Sequence, residues 1–579
     1  MAPGCTFTPP FLSIGIIAEV AEKVFHANPT NPISMKQFSK TLAALIMVLA
    51  CFFYSTGTRA QSVPDTDDSG TRRSWFDLMQ DPDARFRDVQ QAAYEYFSTR
   101  NISQKAIGYK IFKRWEYINE TRVLPDGKRQ APGYVREQVD QYMAATDAGA
   151  AGGNWTLTGP TTYVVNNTIQ PTGMGRINAI AFHPTDANTI FIGAPSGGLW
   201  VTTNPNGNAT TWTNLTSNLP TLGVSSILVH PANPAIIYAG TGDRDANDAP
   251  GLGVYKTTDG GTSWTPVTTG MGLATVGAMV MHPSDPNTIL AATSTGIYKT
   301  TNGGSLWKKC ISGNFKDIRF KPGNPNVVYA VKIVNPSEFY RSTDLGDTWT
   351  QNTSIPAFNI GSRMVIGVTP ANPDIVYLVQ IRSDATFSNL IRSTDSGLTF
   401  TAMAVSPPNL LGYQCDGSDN STQAGYDLCI AVDQTDANTV FVGGVNTWKT
   451  TDGGATWAIS AHWASTCSGT ATPVHADHHV FEWSPLNGNL YLGHDGGITF
   501  TPNGGTAWTE ITGGLPITQI YKIGQGASNV NYTLIGCQDN GSAATTTGST
   551  FYTTRGGDGT ETQIDYSDPN YCYNTYING

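Results

Sequence analysis

Three of the nine histidines fall within five residues, His475-Ala-Asp-His-His479, and His494-Asp495 follows shortly after. Imidazole titrates near neutrality and a neighbouring carboxylate tunes it, so this cluster could support acid/base catalysis or hold a divalent metal. Spacing tells against the metal: side chains of adjacent residues on an extended segment point apart, so His478 and His479 do not easily face one ion. No metal site is expected. The competing readings are side chains that bond loop backbones around a channel, and a polar site for a sugar or peptide. Paired carboxylates would serve glycoside hydrolysis, one as acid and the other as base or nucleophile. Asp495 and Asp539 form the first such pair, with Asp477 and Asp243 as substitutes. Asp243, Asp245 and Asp248 could hold Ca²⁺ through oxygen ligands, but no EF-hand spacing is present and a solvated loop is the favoured reading. Apart from that alternative no cofactor is expected. Arg176, Asp243, His475, His478, His479, His494 and Gln538 are the binding candidates.

What positions these residues is a repeat. Lys256-Thr-Thr-Asp-Gly-Gly-Thr-Ser-Trp264 recurs with changes around Asn302, Asp344, Asp395, Asp452 and Asn503, at intervals of 42 to 57 residues. The motif has the chemistry of a tight hairpin: Asp or Asn bonds local N–H groups, Gly takes positive φ, and the aromatic packs back. Upstream in each unit lies a second turn, such as His183-Pro-Thr-Asp, His230-Pro-Ala-Asn and His282-Pro-Ser-Asp, between apolar runs. Two hairpins make four strands, and four strands in a unit of this length make a propeller blade. The fold expected is therefore all-β, a multi-bladed β-propeller. Blades start near Ile177, Val224, Val276, Phe315, Arg363, Asp427, His475 and Ile517. A ninth unit begins near Gln563 and stops about halfway, which reads as a fragment of a longer protein.

Blade geometry sorts the candidates. The 1→2 and 3→4 turns share one face, so Asp259, Asn302, Asp344, Asp395, Asp452 and Asn503 are expected to be structural. The 2→3 loops and the connections between blades share the other face. They carry Arg176, Asp243, the Gln414–Tyr426 insertion, the blade 7 histidines and Gln538-Asp539 towards the mouth of the central channel.

Ahead of the blades, Ser74 to about Met143 has helix-like spacing, and two or three short helices are expected to form an arm against the outside of the main domain. Within it Lys113-Arg-Trp115 reads as a docking helix or a binding surface. Met35-Lys-Gln-Phe-Ser-Lys40 followed by an apolar run to Phe53 has the form of a signal peptide, with cleavage before Gln61. Lipidation at Cys51 and a membrane anchor are the alternatives. The division expected is a mis-assigned start at 1–34, a signal peptide at 35–60, an arm at 61–150, seven blades over 151–515 and further blades over 516–579. Secretion makes disulfides plausible, with Cys415 and Cys429 the first local pair because they flank one polar loop. A formal charge of −10 and 13% charged residues speak against a nucleic-acid footprint.

The Ser/Thr-x-Asp-x-Gly-x-Thr-Trp repeats resemble the BNR or Asp-box propellers over roughly residues 154–579. These comprise sialidases, xyloglucan-cleaving glycoside hydrolases of family 74 and the sortilin or VPS10 ectodomains. A closer similarity is to secreted bacterial BNR proteins, which carry segments like Gly175-Arg-Ile177, Gly240-Thr-Gly-Asp243, His475–His479, Asp495-Gly-Gly497, Leu515-Pro-Ile-Thr-Gln519 and Gln538-Asp-Asn-Gly541. The resemblance implies a secreted, monomeric propeller that binds an extracellular polymer, glycan first and peptide second. A glycoside hydrolase and a protein-interaction platform are its alternatives. Two departures stand against the enzymes. Where the xyloglucanase pattern has Thr-Asp-Ile-Gly-Gly in the first blade, this chain has Ala194-Pro-Ser-Gly-Gly198. Where sialidases have a Phe/Tyr-Arg-Ile-Pro start, it has Gly175-Arg-Ile-Asn178.

Overall fold

The structure is a computed structural model. It describes residues 74–576 except 82, 103–107, 132–133, 135–136, 139–140, 142–155, 165–169, 357–359, 404–407, 465–466 and 468–470. The signal-peptide segment 35–60, with Cys51, lies outside the described residues. Among them no helix is long and apolar enough to cross a membrane.

Seven sheets follow one another over residues 179–510, each built on four antiparallel strands taken in chain order, and in the sixth Thr472–Pro473 adds a parallel fifth strand. Blade 1, for example, uses Ala179–Phe182, Ile190–Ala194, Gly198–Thr202 and Thr213–Asn214. The inner strands are apolar on both sides: in Val376–Arg382 every residue but the last is buried. A blade is sandwiched between two others, so the alternation of a half-solvated strand is lost. One apolar cluster fills each interface between consecutive blades. A seventh joins Val480, Tyr491 and Ile498 of blade 7 to Ile180 and Ile192 of blade 1. Blades 1–7 thus close into a ring, which removes the exposed sheet edges.

Outside that ring stands an eighth sheet, formed by Ile520–Gln525, Thr533–Cys537, Gly541–Thr545 and Phe551–Arg555. Tyr163–Val164 adds a fifth strand, parallel to Phe551–Arg555. A two-stranded hairpin, Gly559–Ile564 with Cys572–Tyr576, follows.

The recurring turns lie between strands 3 and 4, as at Asp259 between Val254–Thr257 and Thr265–Pro266. Asp259 Oδ1 accepts from the Ser263 N–H at 2.9 Å and Oδ2 from the Ser263 hydroxyl at 2.6 Å. Asp344 with Thr348, Asp395 with Thr399 and Asp452 with Thr456 repeat this pair of bonds. Where Asn replaces Asp, the residue four positions on has no hydroxyl: Leu306 follows Asn302 and Ala507 follows Asn503, and only the N–H bond remains. An amide has one acceptor oxygen and a carboxylate two, so the hydroxyl and the second oxygen come and go together. Trp264 and Trp307 each donate their indole N–H to the preceding blade, at Leu215 O and Val267 O. The His-Pro histidines are turn caps as well. His282 Nδ1 accepts from the N–H groups of Ser284 and Asp285, as His183 does from Thr185 and Asp186.

The arm includes the helices α1 (Trp75–Gln80), α2 (Phe86–Phe97) and α3 (Tyr109–Glu120). Ser74 starts α1 with a capping box to Asp77. Trp75, Met79, Phe97, Phe112 and Trp115 form its core. Gly108 precedes α3 at φ 85°, and a Cβ there would meet Trp75 at 2.8 Å. Contrary to the expected outside position, α3 lies at the channel mouth, where Lys110 and Arg114 pair with Asp539 and Asp558.

The expected Cys415–Cys429 pairing is also corrected. Cys415 bonds Cys467, 52 residues away, with Cα atoms 6.0 Å apart. Cys429 sits buried at the start of an inner strand, where a Cβ on Gly443 would meet its sulfur at 2.6 Å. Flanking one loop was not enough, because one end of that loop enters the blade 6 core.

Candidate functional site

The loop 242–253 of blade 2 bends into the channel mouth instead of lying in solvent, and Asp243 and Asp245 are fully buried. Asp243 organises the loop, accepting from the N–H groups of Asp245, Ala246 and Asp248. Its oxygens also meet Arg176 at 2.7 Å and Asn178 at 3.2 Å. Arg176 bridges to Asp248 at 3.2 Å and lies over the Tyr426 ring. Asp245 is surrounded by cations: Lys316 at 2.5 Å, Arg363 at 3.1 Å and His479 at 3.0 Å. Against the cost of burial, these hold its carboxyl well below the usual range. Of the three acids considered for Ca²⁺, Asp243 and Asp248 share Arg176, and Asp245 is paired with other cations.

Asp477, Asp495 and Asp539, the three catalytic candidates, do converge. They bring carboxylate oxygens within 4.8 Å of one another. Asp477 comes from the entrance to blade 7, Asp495 from its 2→3 turn, and Asp539 from the corresponding turn of the eighth sheet. Asp477 and Asp539 take positive φ, 65° and 55°, which turns each carboxylate inward at a backbone cost. Each is oriented by a partner. Gln423 donates to Asp477 at 2.7 Å, Tyr426 to Asp495 at 2.8 Å, and Arg114 to Asp539 at 3.0 Å. Burial, then the neighbouring carboxylates, pushes Asp477 well up, and burial raises Asp495 too. Against burial, Arg114 and Lys110 hold Asp539 well down.

The histidines are engaged with protein groups except at His494 Nε2, which has no hydrogen-bond partner among the described residues. His479 places Nδ1 at Asp245 and Nε2 at Asp495, 2.8 Å away. Carboxylates only accept, so the ring donates from both nitrogens as an imidazolium. Against burial, Asp495 and Asp245 raise its affinity for the proton. His478 points the other way, to Thr447 Oγ1 and His475 O, and burial lowers it to about 3. His475 meets Gln170 at 2.9 Å, and His494 accepts from the Gly496 N–H. Burial lowers both. All four rings are buried, and none is free to act as a base on a ligand.

Sequence reasoning did not single out Lys316 or Lys110; it named Arg363 and Asp427 only as blade starts, Tyr426 only as the end of a polar insertion, and Arg114 only within Lys113-Arg-Trp115. A signal existed for two of them: Lys316 and Arg363 are cations near the start of apolar first strands, Phe315–Lys321 and Ile360–Val368.

An open concavity lies beside this buried network. A cleft of about 550 Å³ runs between blade 1, the Pro516–Tyr521 segment leading into the eighth sheet, and the end of α3. Trp200, Tyr117 and Tyr521 line it, with Ser196, Gln519, Gln538 and Asp248 as polar groups. Trp200 is fixed by its indole N–H on Gly197 O at 2.8 Å. Tyr521 donates to Gln538 Oε1 at 2.9 Å, which leaves Gln538 Nε2 without a partner. Asp248 Oδ1 is likewise unpartnered. Gln538, a binding candidate, is thus placed on the cleft, whereas Arg176 and Asp243 support it from beneath. Asp248 is the one carboxylate among the lining residues.

No protein-family model matches the sequence, and no curated protein matches it significantly. Solved structures do resemble it. The family 74 glycoside hydrolase of Niastella koreensis matches with a TM-score of 0.50 and 16% identity over 72% of this chain and 65% of its own. The family 74 xyloglucanase of Xanthomonas campestris matches with a TM-score of 0.51 and 16% identity, over 71% of this chain and 66% of its own. The chain thus spans just under two thirds of these enzymes' length. At this identity the likeness is one of fold. The chain is an all-β, multi-bladed propeller, similar in fold to the propellers of family 74 glycoside hydrolases.

Proposed function

We propose that this protein is a secreted propeller that binds an extracellular polysaccharide in the cleft between blade 1 and the eighth sheet. The observation that carries the reading is the lining of that cleft. Aromatic faces at Trp200, Tyr117 and Tyr521 offer flat apolar contact, and the polar side chains of Ser196, Asn214, Ser217 and Gln519 in the lining suit hydroxyl groups. A sugar chain presents both kinds of surface. The channel-mouth acids and histidines, by contrast, are buried and bonded to one another, and serve as the support of the cleft floor.

Hydrolysis is the second reading, because a similar fold belongs to a xyloglucanase. It is less well supported. Glycosidases use two carboxylates, about 5–9.5 Å apart, on either side of the bond, and Asp248 stands alone among the residues lining the cleft. The blade 1 loop that carries Asp in the xyloglucanase pattern contributes Ser196 and Gly197 to the wall. Among the other candidate acids, Asp495 is 1% exposed and bonded to Tyr426 and His479. A peptide is the other ligand class to be tried.

The test is binding of the full chain to a panel of soluble β-glucans and sialosides, by retardation in polysaccharide gels. Release of reducing ends is measured in parallel. Retardation without release supports the proposal. Turnover abolished by Asp248→Asn or Asp495→Asn would replace it with the hydrolase. No retardation on any glycan would direct attention to peptides.

A further inference from the structure

Below the cleft, the network is short of positive charge at one point. Among the described residues Asp477 and Asp427 make no ion pair, and Asp495 makes one only with His479. Asp427 is 1% exposed, and neither of its carboxylate oxygens has a hydrogen-bond partner. The charge that acts on it most strongly is that of Asp477. A buried carboxylate without donors is costly, and such groups in proteins are paired or bind metal.

We propose that Asp477, Asp495 and Asp539 hold a divalent cation, with Asp427 as a fourth carboxylate beside it, and that the cation is Ca²⁺. Three features argue for this occupant. The ligands are all carboxylate oxygens, which suit hard cations, and the histidines point elsewhere. The oxygens lie within 4.8 Å of one another. A site of several carboxylates suits Ca²⁺, whereas Mg²⁺ keeps most of its waters and takes one or two carboxylates. Asp477 and Asp495 are also hydrogen-bonded by Gln423, Tyr426 and His479, as outer groups hold metal ligands, while Asp539 pairs with Arg114 and Lys110.

The four acids come from different parts of the fold. Asp427 precedes blade 6, Asp477 and Asp495 belong to blade 7, and Asp539 belongs to the eighth sheet. A cation there ties the closed ring to the sheet beyond it. It also fixes Asp539, and with it the adjacent Gln538 on the cleft floor. The site does not depend on what the cleft binds.

The experiment uses the full chain, produced in Ca²⁺ and passed through gel filtration. Metal analysis should find one Ca²⁺ per chain. Chelator should lower the melting temperature by several degrees, and Ca²⁺ should restore it where equimolar Mg²⁺ does not. Terbium added to the stripped protein should luminesce on tyrosine excitation, because Tyr426 bonds a ligand carboxylate. Asp477→Asn should abolish the Ca²⁺-dependent shift. Should that variant not fold, Asp427→Asn removes a charge without removing a hydrogen bond, and it should weaken Ca²⁺ at least tenfold. Wild-type protein that holds no cation and melts identically with chelator and with Ca²⁺ would overturn the proposal. So would a Ca²⁺ shift undiminished in both variants.

Discussion

The Arg114 guanidinium meets the Asp539 carboxylate at 3.0 Å, although 425 residues separate them. Arg114 NH2 also reaches Asp558 at 2.6 Å, so one side chain of the arm joins two segments at the eighth sheet. Arg114 is 9% exposed. Removing one partner of a buried pair costs about 3–5 kcal/mol, because the other charge is left unpaired. Arg114→Met is expected to destabilise the chain by about 3 kcal/mol in a denaturant titration. Arg114→Met with Asp539→Asn should cost less than the two single changes added together.

The recurring turns make a separable prediction. Asp344→Asn keeps the N–H bond to Thr348 and loses the hydroxyl bond, a change of about 0.5 kcal/mol for an exposed pair. With Thr348→Ala already present, that cost should vanish, since Asn302 with Leu306 and Asn503 with Ala507 are natural versions of the double change. A double-mutant cycle on the urea midpoint measures the coupling.

Acid sensitivity follows from the same turns. Against the cost of burial, several hydrogen bonds together lower Asp344 and Asp395 from 3.8 to about 2. A carboxyl depressed on folding contributes stability above its unfolded pKa, and that contribution is lost as pH falls through the folded value. Stability should therefore drop between about pH 4 and pH 2. Asp344→Asn should flatten the fall over this window in urea titrations.

For the cysteines, peptide mapping of the unreduced protein should recover Cys415 joined to Cys467, with Cys429 alkylated only after unfolding. A bridge that closes a loop of 52 residues is worth about 4 kcal/mol by the chain-entropy relation. Cys467→Ser should lower stability by up to that amount.

What was legible in the sequence was local. Asp452 and Thr456 are four residues apart, and their turn advertises itself; the apolar runs around it mark strands buried on both faces. Blade geometry then brought Asp477, Asp495 and Asp539 to one place without any distance in hand. Pairings across the ring were not legible. Arg114 bears no local relation to Asp539, and Lys316 and Arg363 find Asp245 only because three blades face one channel. Asp243 and Asp248 read as a solvated loop because polarity was weighed without the cations that bury it. The cleft depends on the eighth sheet standing beside blade 1, which no repeat spacing encodes.

Calorimetric titration of soluble β-glucans into the native chain and into Tyr117→Ala and Gln538→Ala tests the central claim most directly. Tyr117 is 53% exposed, so its removal leaves the core intact. The expected result is saturable binding of at least one polysaccharide, about tenfold weaker in each variant, which corresponds to about 1.4 kcal/mol, with an unchanged melting temperature in Tyr117→Ala. Binding that neither substitution weakens, or no binding to any glycan, would contradict the account.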